Sequence, residues 1–185
     1  MRVISGEFRG RQLKSIAGTN TRPTSDKIKE SIFHILGPYF GGGTCLDLFA
    51  GSGSLGIEAI SRGMDSVVFV EKSSPAIRVI NQNVDLVKMN AVSKIYKNDA
   101  NRALQILSKK DNQFDLIFLD PPYEKVDYDK LIDQIIAGNI LSSLGRIYIE
   151  HSPEKEFTFN KQQLEKVYEK KYNATTSITI LQNRV

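Results

Sequence analysis

The tetrapeptide Asp120-Pro121-Pro122-Tyr123 combines residue types that suit chemistry on an amino group. The prolines fix their own φ angles and supply no N–H donors, whereas their carbonyl groups remain hydrogen-bond acceptors. The Asp120 carboxylate and the Pro121 carbonyl therefore offer two acceptors to the two hydrogens of an –NH₂ group. Tyr123 adds a flat face for a nucleobase, because base–aromatic stacking contributes about 1–3 kcal/mol in nucleic-acid complexes. We therefore predict a catalytic corner at residues 120–123.

The chemistry that this corner favours is transfer of a group to an exocyclic amine. Such a nitrogen is a poor nucleophile because its lone pair is delocalised into the ring. Two acceptors that hold its hydrogens favour a pyramidal nitrogen whose lone pair points at the donor, and such positioning supplies much of an enzyme's rate enhancement. Asp120 also stabilises the positive charge that develops on nitrogen and can receive the proton. An ordinary turn begun by Asp-Pro is the competing interpretation.

A glycine-rich loop, DLFAGSGSLG at residues 47–56, has the spacing of a nucleotide-binding turn. Gly51, Gly53 and Gly56 satisfy G-x-G-x-x-G between a predicted strand and a predicted helix, which is the setting that the pattern requires. Gly51 permits a tight turn, Gly53 lets the backbone approach a ligand, and Gly56 allows close packing of helix on strand. A tight turn without a ligand is the alternative.

Two acids beside this loop indicate which ligand it binds. Glu71 ends the second predicted strand about 20 residues after the loop, where a carboxylate accepts both ribose hydroxyls and disfavours a 2′-phosphate. Asp47 would repel a pyrophosphate but suits a ligand with an amino group; its alternative role is to cap the backbone N–H groups of the loop. S-adenosylmethionine has a ribose diol, a cationic amino-acid end and no phosphate, so we predict it as the cofactor.

Asp99, which follows the third predicted strand, is a third candidate acid. Its carboxylate can accept a hydrogen bond from the adenine amine of the cofactor. It can equally serve as the N-cap of the helix that starts near Asn101. The sequence leaves both interpretations open.

Strands and helices alternate along residues 44–150, and these elements must position the candidate residues. The pattern predicts strands at residues 44–49, 66–71, 94–97, 115–119 and 146–150, and helices at 54–62, 74–89, 101–109 and 127–137. An earlier helix is capped by Thr24 or Ser25 and repeats Ile28, Ile32, Ile35 and Leu36 at helical spacing. Such alternation predicts a parallel α/β sheet, and ligands bind at the carboxyl edge of such sheets.

The two ends of the chain depart from this alternation. Residues 1–21 mix charged and apolar side chains around glycines, which predicts a short β-hairpin. Residues 2–14 carry one acid and four basic side chains, namely Arg2, Arg9, Arg11 and Lys14. Near the other end, residues 164–172 and 177–181 are predicted to form an antiparallel sheet edge, although residues 161–171 also fit a helix.

The composition is that of a single globular domain rather than a disordered or fibrous chain. The 185 residues are 41% apolar and 25% charged, and the net charge of +4 favours an anionic partner. The single cysteine, Cys45, excludes an internal disulfide framework and favours a reducing compartment. With two histidines in the whole chain we expect no metal site. We find no leader-like or membrane-length apolar run, so we expect a cytoplasmic protein.

Four stretches together resemble a known enzyme family. Residues 120–123 match [DNS]-P-P-[YFW], the signature of amino methyltransferases that act on DNA adenine N6, rRNA guanine N2 or protein glutamine N5. Residues 2–13 (RVISGEFRGRQL), 21–33 (TRPTSDKIKESIF) and 47–59 (DLFAGSGSLGIEA) resemble the bacterial small-subunit rRNA guanine-N2 methyltransferases of the RsmD type. The likeness spans roughly residues 2–150, and the four motifs in order are more specific than any one.

This resemblance implies a Rossmann-like class I methyltransferase fold with a seven-stranded, mostly parallel sheet whose last strand is antiparallel. It implies a β-hairpin extension at residues 1–21 that contacts RNA, and a methyltransferase domain at residues 22–185. The residues expected to bind S-adenosylmethionine are Thr24, near its methionine end, with Asp47, Phe49, Gly51, Gly53, Glu71, Asp99 and Asp120. The residues expected to hold the guanine are Asp120, Pro121, Pro122 and Tyr123, and those expected to contact RNA phosphates are Arg2, Arg9 and Arg11.

The predicted activity is methylation of a guanine N2 amine in 16S rRNA, with a partly assembled small subunit as substrate and a monomeric enzyme. Methylation of DNA adenine N6 or protein glutamine N5 is the nearest alternative, because the tetrapeptide does not separate amines of similar shape. An NAD-dependent oxidoreductase fits the glycine loop and Glu71 but not Asp47 or the tetrapeptide. A non-catalytic RNA-binding module is disfavoured by the intact glycines and Asp120.

Overall fold

The computed structural model describes residues 1–16, 26–122 and 126–184. Two predicted site residues, Thr24 and Tyr123, lie outside these ranges. The helices of the described part are α1 (Asp26–Leu36), α2 (Ser54–Ser61), α3 (Ser74–Val87), α4 (Ala100–Ser108) and α5 (Tyr128–Ala137). Its strands are β1 (Thr44–Asp47), β2 (Ser66–Glu71), β3 (Ser93–Lys97), β4 (Phe114–Leu119), β5 (Leu141–His151), β6 (Leu164–Lys171) and β7 (Ser177–Asn183). None of the helices in these ranges is both long and apolar enough to cross a bilayer.

The strands form one mixed sheet in the order β3-β2-β1-β4-β5-β7-β6. β2 pairs in parallel with β1 and β3, and β4 pairs in parallel with β5. The last strand, β7, is antiparallel to both β5 and β6. The predicted α/β class, with a mostly parallel seven-stranded sheet and an antiparallel last strand, is confirmed. The helical alternative for residues 161–171 is wrong, because β6 pairs with β7 along its length.

The chain divides into two compact units, Met1–Asn98 and Asp99–Val185. The first contains β1–β3 and α1–α3, and Phe69 and Ile80 in its core are fully buried. The second contains β4–β7 with α4 and α5. Its core includes Phe118 and Tyr148, whose rings meet edge to face with centroids 5.8 Å apart. Removal of these large apolar side chains from water is the main favourable contribution to the folding of each unit.

Among the elements whose bounds differ from the prediction, three have a clear local reason. β1 ends at Asp47 because the chain turns there into the glycine loop. α3 ends at Val87 because Lys88 adopts a left-handed conformation with φ 59°. β5 begins at Leu141 rather than at residue 146, since the turn-like stretch SSLG is taken into the strand, with Leu144 at φ 59°.

The buried face of α1 differs from the predicted one. Ile32 and Leu36 are buried as expected, but the other buried positions are Lys29 and Phe33. Ile28 and Ile35, which were predicted to share the buried face, are only half-buried. Positions 29, 32, 33 and 36 follow the i, i+3, i+4, i+7 spacing of one helix face, so a lysine occupies a core position.

Residues 1–16 form a tight N-terminal loop closed by one antiparallel bridge between Arg2 and Gln12. The loop docks on α2, where the backbone N–H groups of Ile4 and Ser5 donate to the Glu58 carboxylate at 2.8 and 3.0 Å. The predicted hairpin is therefore reduced to a single bridge in the described residues. The predicted division of the chain after residue 21 lies in residues 17–25, outside the described ranges, and stays a prediction.

Candidate active site

The loop between β1 and α2 is shaped by glycines with positive φ angles. Gly51 has φ +54° and Gly53 has φ +80°, and residues with a side chain rarely adopt such conformations. The Gly53 N–H donates to the Ala50 carbonyl at 2.6 Å, and the Ala50 N–H donates to the Val70 carbonyl at 3.0 Å. The loop is therefore a defined turn that is tied to β2.

The absence of a side chain has a different consequence at each glycine of this loop. A Cβ atom at Gly56 would lie 2.4 Å from the Phe69 ring, so glycine lets α2 pack closely on β2, as predicted. A Cβ atom at Gly53 would lie 3.3 Å from the same ring. The missing side chain at Gly53 therefore serves packing against the core rather than the predicted approach of a ligand. At Gly51 the nearest atom would be the Phe49 carbonyl oxygen at 4.0 Å. The open backbone that a nucleoside requires is found at Gly51, and in this respect the loop fits S-adenosylmethionine.

Glu71, the last residue of β2, holds the glycine loop in place. Its carboxylate oxygens accept hydrogen bonds from the Gly51 N–H at 3.0 Å and from the Ser73 N–H at 2.8 Å. A carboxylate has about four acceptor positions, so these bonds are compatible with further hydrogen bonds from a ribose diol. The fold thus brings Glu71 and Gly51 into direct contact.

Asp47 lies beneath the same loop and is only 2% exposed. Its Oδ2 atom accepts a hydrogen bond from the Gly56 N–H at 3.1 Å, so the capping role is observed. Burial raises the pKa of Asp47 to about 7; the nearby Glu71 charge also raises it, and the Gly56 hydrogen bond opposes both. Contact between Asp47 and a ligand amino group stays a prediction.

Asp99 is the N-cap of α4. Its Oδ1 atom accepts a hydrogen bond from the Arg102 N–H at 3.0 Å, and a cap of this kind contributes about 1 kcal/mol to helix stability. The capping interpretation of Asp99 is confirmed. Its role as acceptor for the adenine amine stays a prediction.

The catalytic corner follows β4 directly. Asp120 is half-buried, Pro121 is buried and Pro122 is exposed, whereas Tyr123 is outside the described residues. Tyr128, the first residue of α5, lies near this corner. Burial raises the pKa of the Tyr128 hydroxyl, and the charges of Asp120 and Glu150 raise it further. Tyr128 therefore stays protonated, and its hydroxyl donates to the Glu150 carbonyl oxygen at 2.9 Å.

The predicted RNA-contacting residues Arg2, Arg9 and Arg11 are all exposed on the N-terminal loop. Arg2 forms an ion pair with Asp26 of α1, with 2.9 Å between Nε and Oδ2. Because both side chains of this pair stay well exposed, the interaction contributes at most about 1 kcal/mol. It leaves Arg2 able to exchange its partner for a phosphate.

In the described ranges, no cluster of three or more histidine, cysteine or acidic side chains is suited to hold an ion.

The family described as Conserved hypothetical protein 95 matches residues 1–181. The chain belongs to this family. Bacillus subtilis YlbH, provisionally named an rRNA methyltransferase, is 49% identical over 84% of this chain and 85% of YlbH. The Haemophilus influenzae protein named Ribosomal RNA small subunit methyltransferase D is 36% identical over 84% of this chain and 80% of that protein. The solved structure of Escherichia coli yhhF, provisionally named a methyltransferase, has a TM-score of 0.85 at 27% identity and covers 99% of this chain and 97% of that one. The RsmD-type resemblance and the class I methyltransferase fold are confirmed.

This member of the family also contains a buried charge cluster, formed by Lys29, Glu58 and Arg62, that the sequence analysis missed. Glu58 lies 3.3 Å from Lys29 Nζ and 2.8 Å from Arg62 Nε. Lys29 also donates to the Arg2 carbonyl at 2.6 Å and to the Ser54 hydroxyl at 3.1 Å. Burial lowers the pKa of Lys29, and the Glu58 charge opposes this effect. The cluster joins the N-terminal loop to the first residue of α2, and the lysine on the apolar face of α1 was the signal that could have revealed it.

Proposed function

We propose that this protein transfers a methyl group from S-adenosylmethionine to the N2 amine of a guanine in 16S rRNA of the small ribosomal subunit. One observation carries the proposal: an Asp-Pro-Pro corner directly follows β4 in a chain that is 36% identical, over most of its length, to a protein named Ribosomal RNA small subunit methyltransferase D. S-adenosylmethionine supplies an electrophilic methyl group on its sulfonium sulfur. The remaining work of binding and orientation falls to residues of the chain.

Cofactor binding is assigned to the glycine loop and the acids around it. Glu71 accepts the ribose hydroxyls, and the open backbone at Gly51 gives the nucleoside room. Asp47 and Gly53 maintain the conformation of the glycine loop. We keep Thr24, Phe49, Asp99 and Asp120 as further candidates for contact with the cofactor.

Amine binding is assigned to the catalytic corner. The Asp120 carboxylate and the Pro121 carbonyl accept the two N2 hydrogens, which directs the nitrogen lone pair toward the methyl donor. Asp120 stabilises the positive charge on nitrogen and can receive its proton. Pro122 keeps the corner rigid, and Tyr123 stacks on the guanine ring.

The finer features of the proposal concern substrate and location. Arg2, Arg9 and Arg11 contact RNA phosphates from the extension at residues 1–21, with residues 22–185 as the methyltransferase domain. The substrate is a partly assembled small subunit in the cytoplasm, and the enzyme acts as a monomer. DNA adenine N6 and protein glutamine N5 are the targets that a test must separate from guanine N2.

The test is to incubate the purified protein with methyl-labelled S-adenosylmethionine and methyl-deficient small subunits. Naked 16S rRNA, double-stranded DNA and bulk ribosomal protein serve as parallel substrates. We expect label at the N2 atom of one guanine, and more label in subunits than in naked RNA. Label on adenine or on protein, or no label in any substrate, would refute the proposal.

A further inference from the structure

The register of β4 and β5 places Asp120 and Glu150 at neighbouring positions in the second unit. β4 and β5 are parallel neighbours, and their register pairs Phe118 with Tyr148 and Leu119 with Ile149. The next residues are Glu150 on β5 and Asp120, which directly follows the end of β4. Neighbouring strands are about 4.8 Å apart, so the two acids leave the sheet side by side.

The two acids also leave the sheet on the same face. Side chains alternate along a strand, so Asp120 follows the direction of Phe118, and Glu150 follows that of Tyr148. The Phe118 and Tyr148 rings are in contact, and the Tyr148 hydroxyl donates to Glu150 Oε2 at 3.0 Å.

Tyr128 supports this placement from a different element. Its hydroxyl donates to the Glu150 carbonyl at 2.9 Å, and its pKa is raised by the charges of both Asp120 and Glu150 after burial. Both acids are therefore close to one phenol. Glu150 itself is 8% exposed, which fits a group at the floor of a site rather than on the surface.

A second carboxylate beside Asp120 matches guanine and not adenine. On the Watson–Crick edge of guanine the N2 amine is adjacent to the N1–H donor, whereas the adenine N6 amine is adjacent to N1 with a lone pair. We propose that Glu150 accepts the N1–H of the target guanine while Asp120 holds its N2 amine, which makes Glu150 the residue that selects guanine. This inference rests on the proposed function.

The matched probe for this role is 2-aminopurine, which keeps the N2 amine but has a lone pair at N1. Methyl-deficient small subunits are reconstituted with guanine or 2-aminopurine at the mapped position, and kcat/KM is measured for each. The wild-type enzyme should prefer guanine by at least about 10–100-fold, the value of one hydrogen bond to a charged group. Equal rates on the two substrates would overturn the inference without the need for any variant.

The variant Glu150→Gln supplies an amide that can donate to the lone pair at N1 of 2-aminopurine. We expect its kcat/KM for guanine to fall about 10–100-fold, with no such fall for 2-aminopurine, so the preference shrinks by at least tenfold. Glu156→Gln, at an exposed position, is the control for loss of one charge and should retain the wild-type preference.

A merely structural role of Glu150 would lower both rates together and leave their ratio unchanged, and this result would also overturn the inference. S-adenosylmethionine affinity, measured by calorimetry, should be the same in wild type and Glu150→Gln. Failure of the proposed function gives a different outcome, because the wild-type enzyme would then leave guanine-containing subunits unmethylated.

Discussion

Asp120 can act in two ways, as a hydrogen-bond acceptor and as a negative charge, and substitutions separate them. Asp120→Ala removes both, and loss of one group that stabilises developing charge typically lowers kcat by about 10²–10³-fold. Asp120→Asn keeps an acceptor without the charge, so we expect an intermediate rate. Single-turnover methyl transfer measures the loss, and calorimetry should show that S-adenosylmethionine still binds.

The control for this prediction is Asp133→Ala, which removes an exposed acid from α5. It should leave both the rate and cofactor binding at wild-type values. Wild-type turnover in Asp120→Ala would rule out a catalytic role for that carboxylate.

Asp47 gives a prediction for stability as a function of pH. Its pKa is about 7 in the folded protein, against an ordinary value of 3.8. Because the folded pKa is the higher one, this group's contribution to stability is fully present below about pH 4 and is lost as pH rises to about 7. The loss is on the order of 4 kcal/mol, from about three pKa units.

The comparison is between wild type and Asp47→Asn, in which the amide oxygen can still accept from the Gly56 N–H. Urea unfolding between pH 4.5 and 8 should show wild type losing stability relative to Asp47→Asn as pH rises. Parallel pH profiles for the two proteins would mean that Asp47 titrates at its ordinary value.

At the scale of elements, the buried charge cluster holds the N-terminal loop, α1 and α2 together. Glu58→Ala would leave Lys29 and Arg62 buried without their shared partner, and breaking a buried ion pair in this way costs about 3–5 kcal/mol. It would also remove the acceptor for two backbone N–H groups of the loop. We expect a large fall in the free energy of unfolding, measured with denaturant.

Glu30→Ala, at an exposed position on α1, is the matched control and should change stability by less than about 0.5 kcal/mol. Equal stabilities of Glu58→Ala and Glu30→Ala would show that the cluster does not stabilise the fold.

The elements also show which features of the sequence were informative. Alternation of apolar strands with amphipathic helices was enough to predict the parallel sheet. Buried strands and helices with one buried face leave different hydrophobic patterns in the sequence. Lys29 was missed because burial of a lysine depends on Glu58, a partner 29 residues away in the chain. The true start of β5 was missed because SSLG has turn-like local chemistry. Leu141 pairs with Phe114 of β4 before this stretch, and the register passes over SSLG to resume at Arg146.

The site was predictable to a similar extent. Glycine spacing and the strand-ending acid assigned Gly51 and Glu71 to one predicted site, whereas the hydrogen bond between them was not predicted. The core-facing role of Gly53 depends on Phe69, and the neighbourhood of Asp120 and Glu150 depends on the register between β4 and β5. Neither relation can be obtained from spacing along one segment, since both are set by tertiary packing.

At the scale of the whole molecule, charge is unevenly distributed. The net charge is +4, and residues 2–14 alone contribute an excess of three positive charges. Because neutralised phosphates release counterions, RNA affinity that depends on this segment must fall with salt.

Arg9→Glu with Arg11→Glu tests this segment directly. The pair of substitutions should weaken binding of methyl-deficient small subunits and reduce the slope of log affinity against log salt by about 1.4, the value for two phosphate contacts on single-stranded RNA. Cofactor affinity should not change. Lys109→Glu with Lys110→Glu makes the same charge change at exposed positions after α4, and it should preserve the wild-type salt slope. If both double variants bind subunits equally, the N-terminal arginines act only through the overall charge, and the extension is not the RNA-contacting part of the protein.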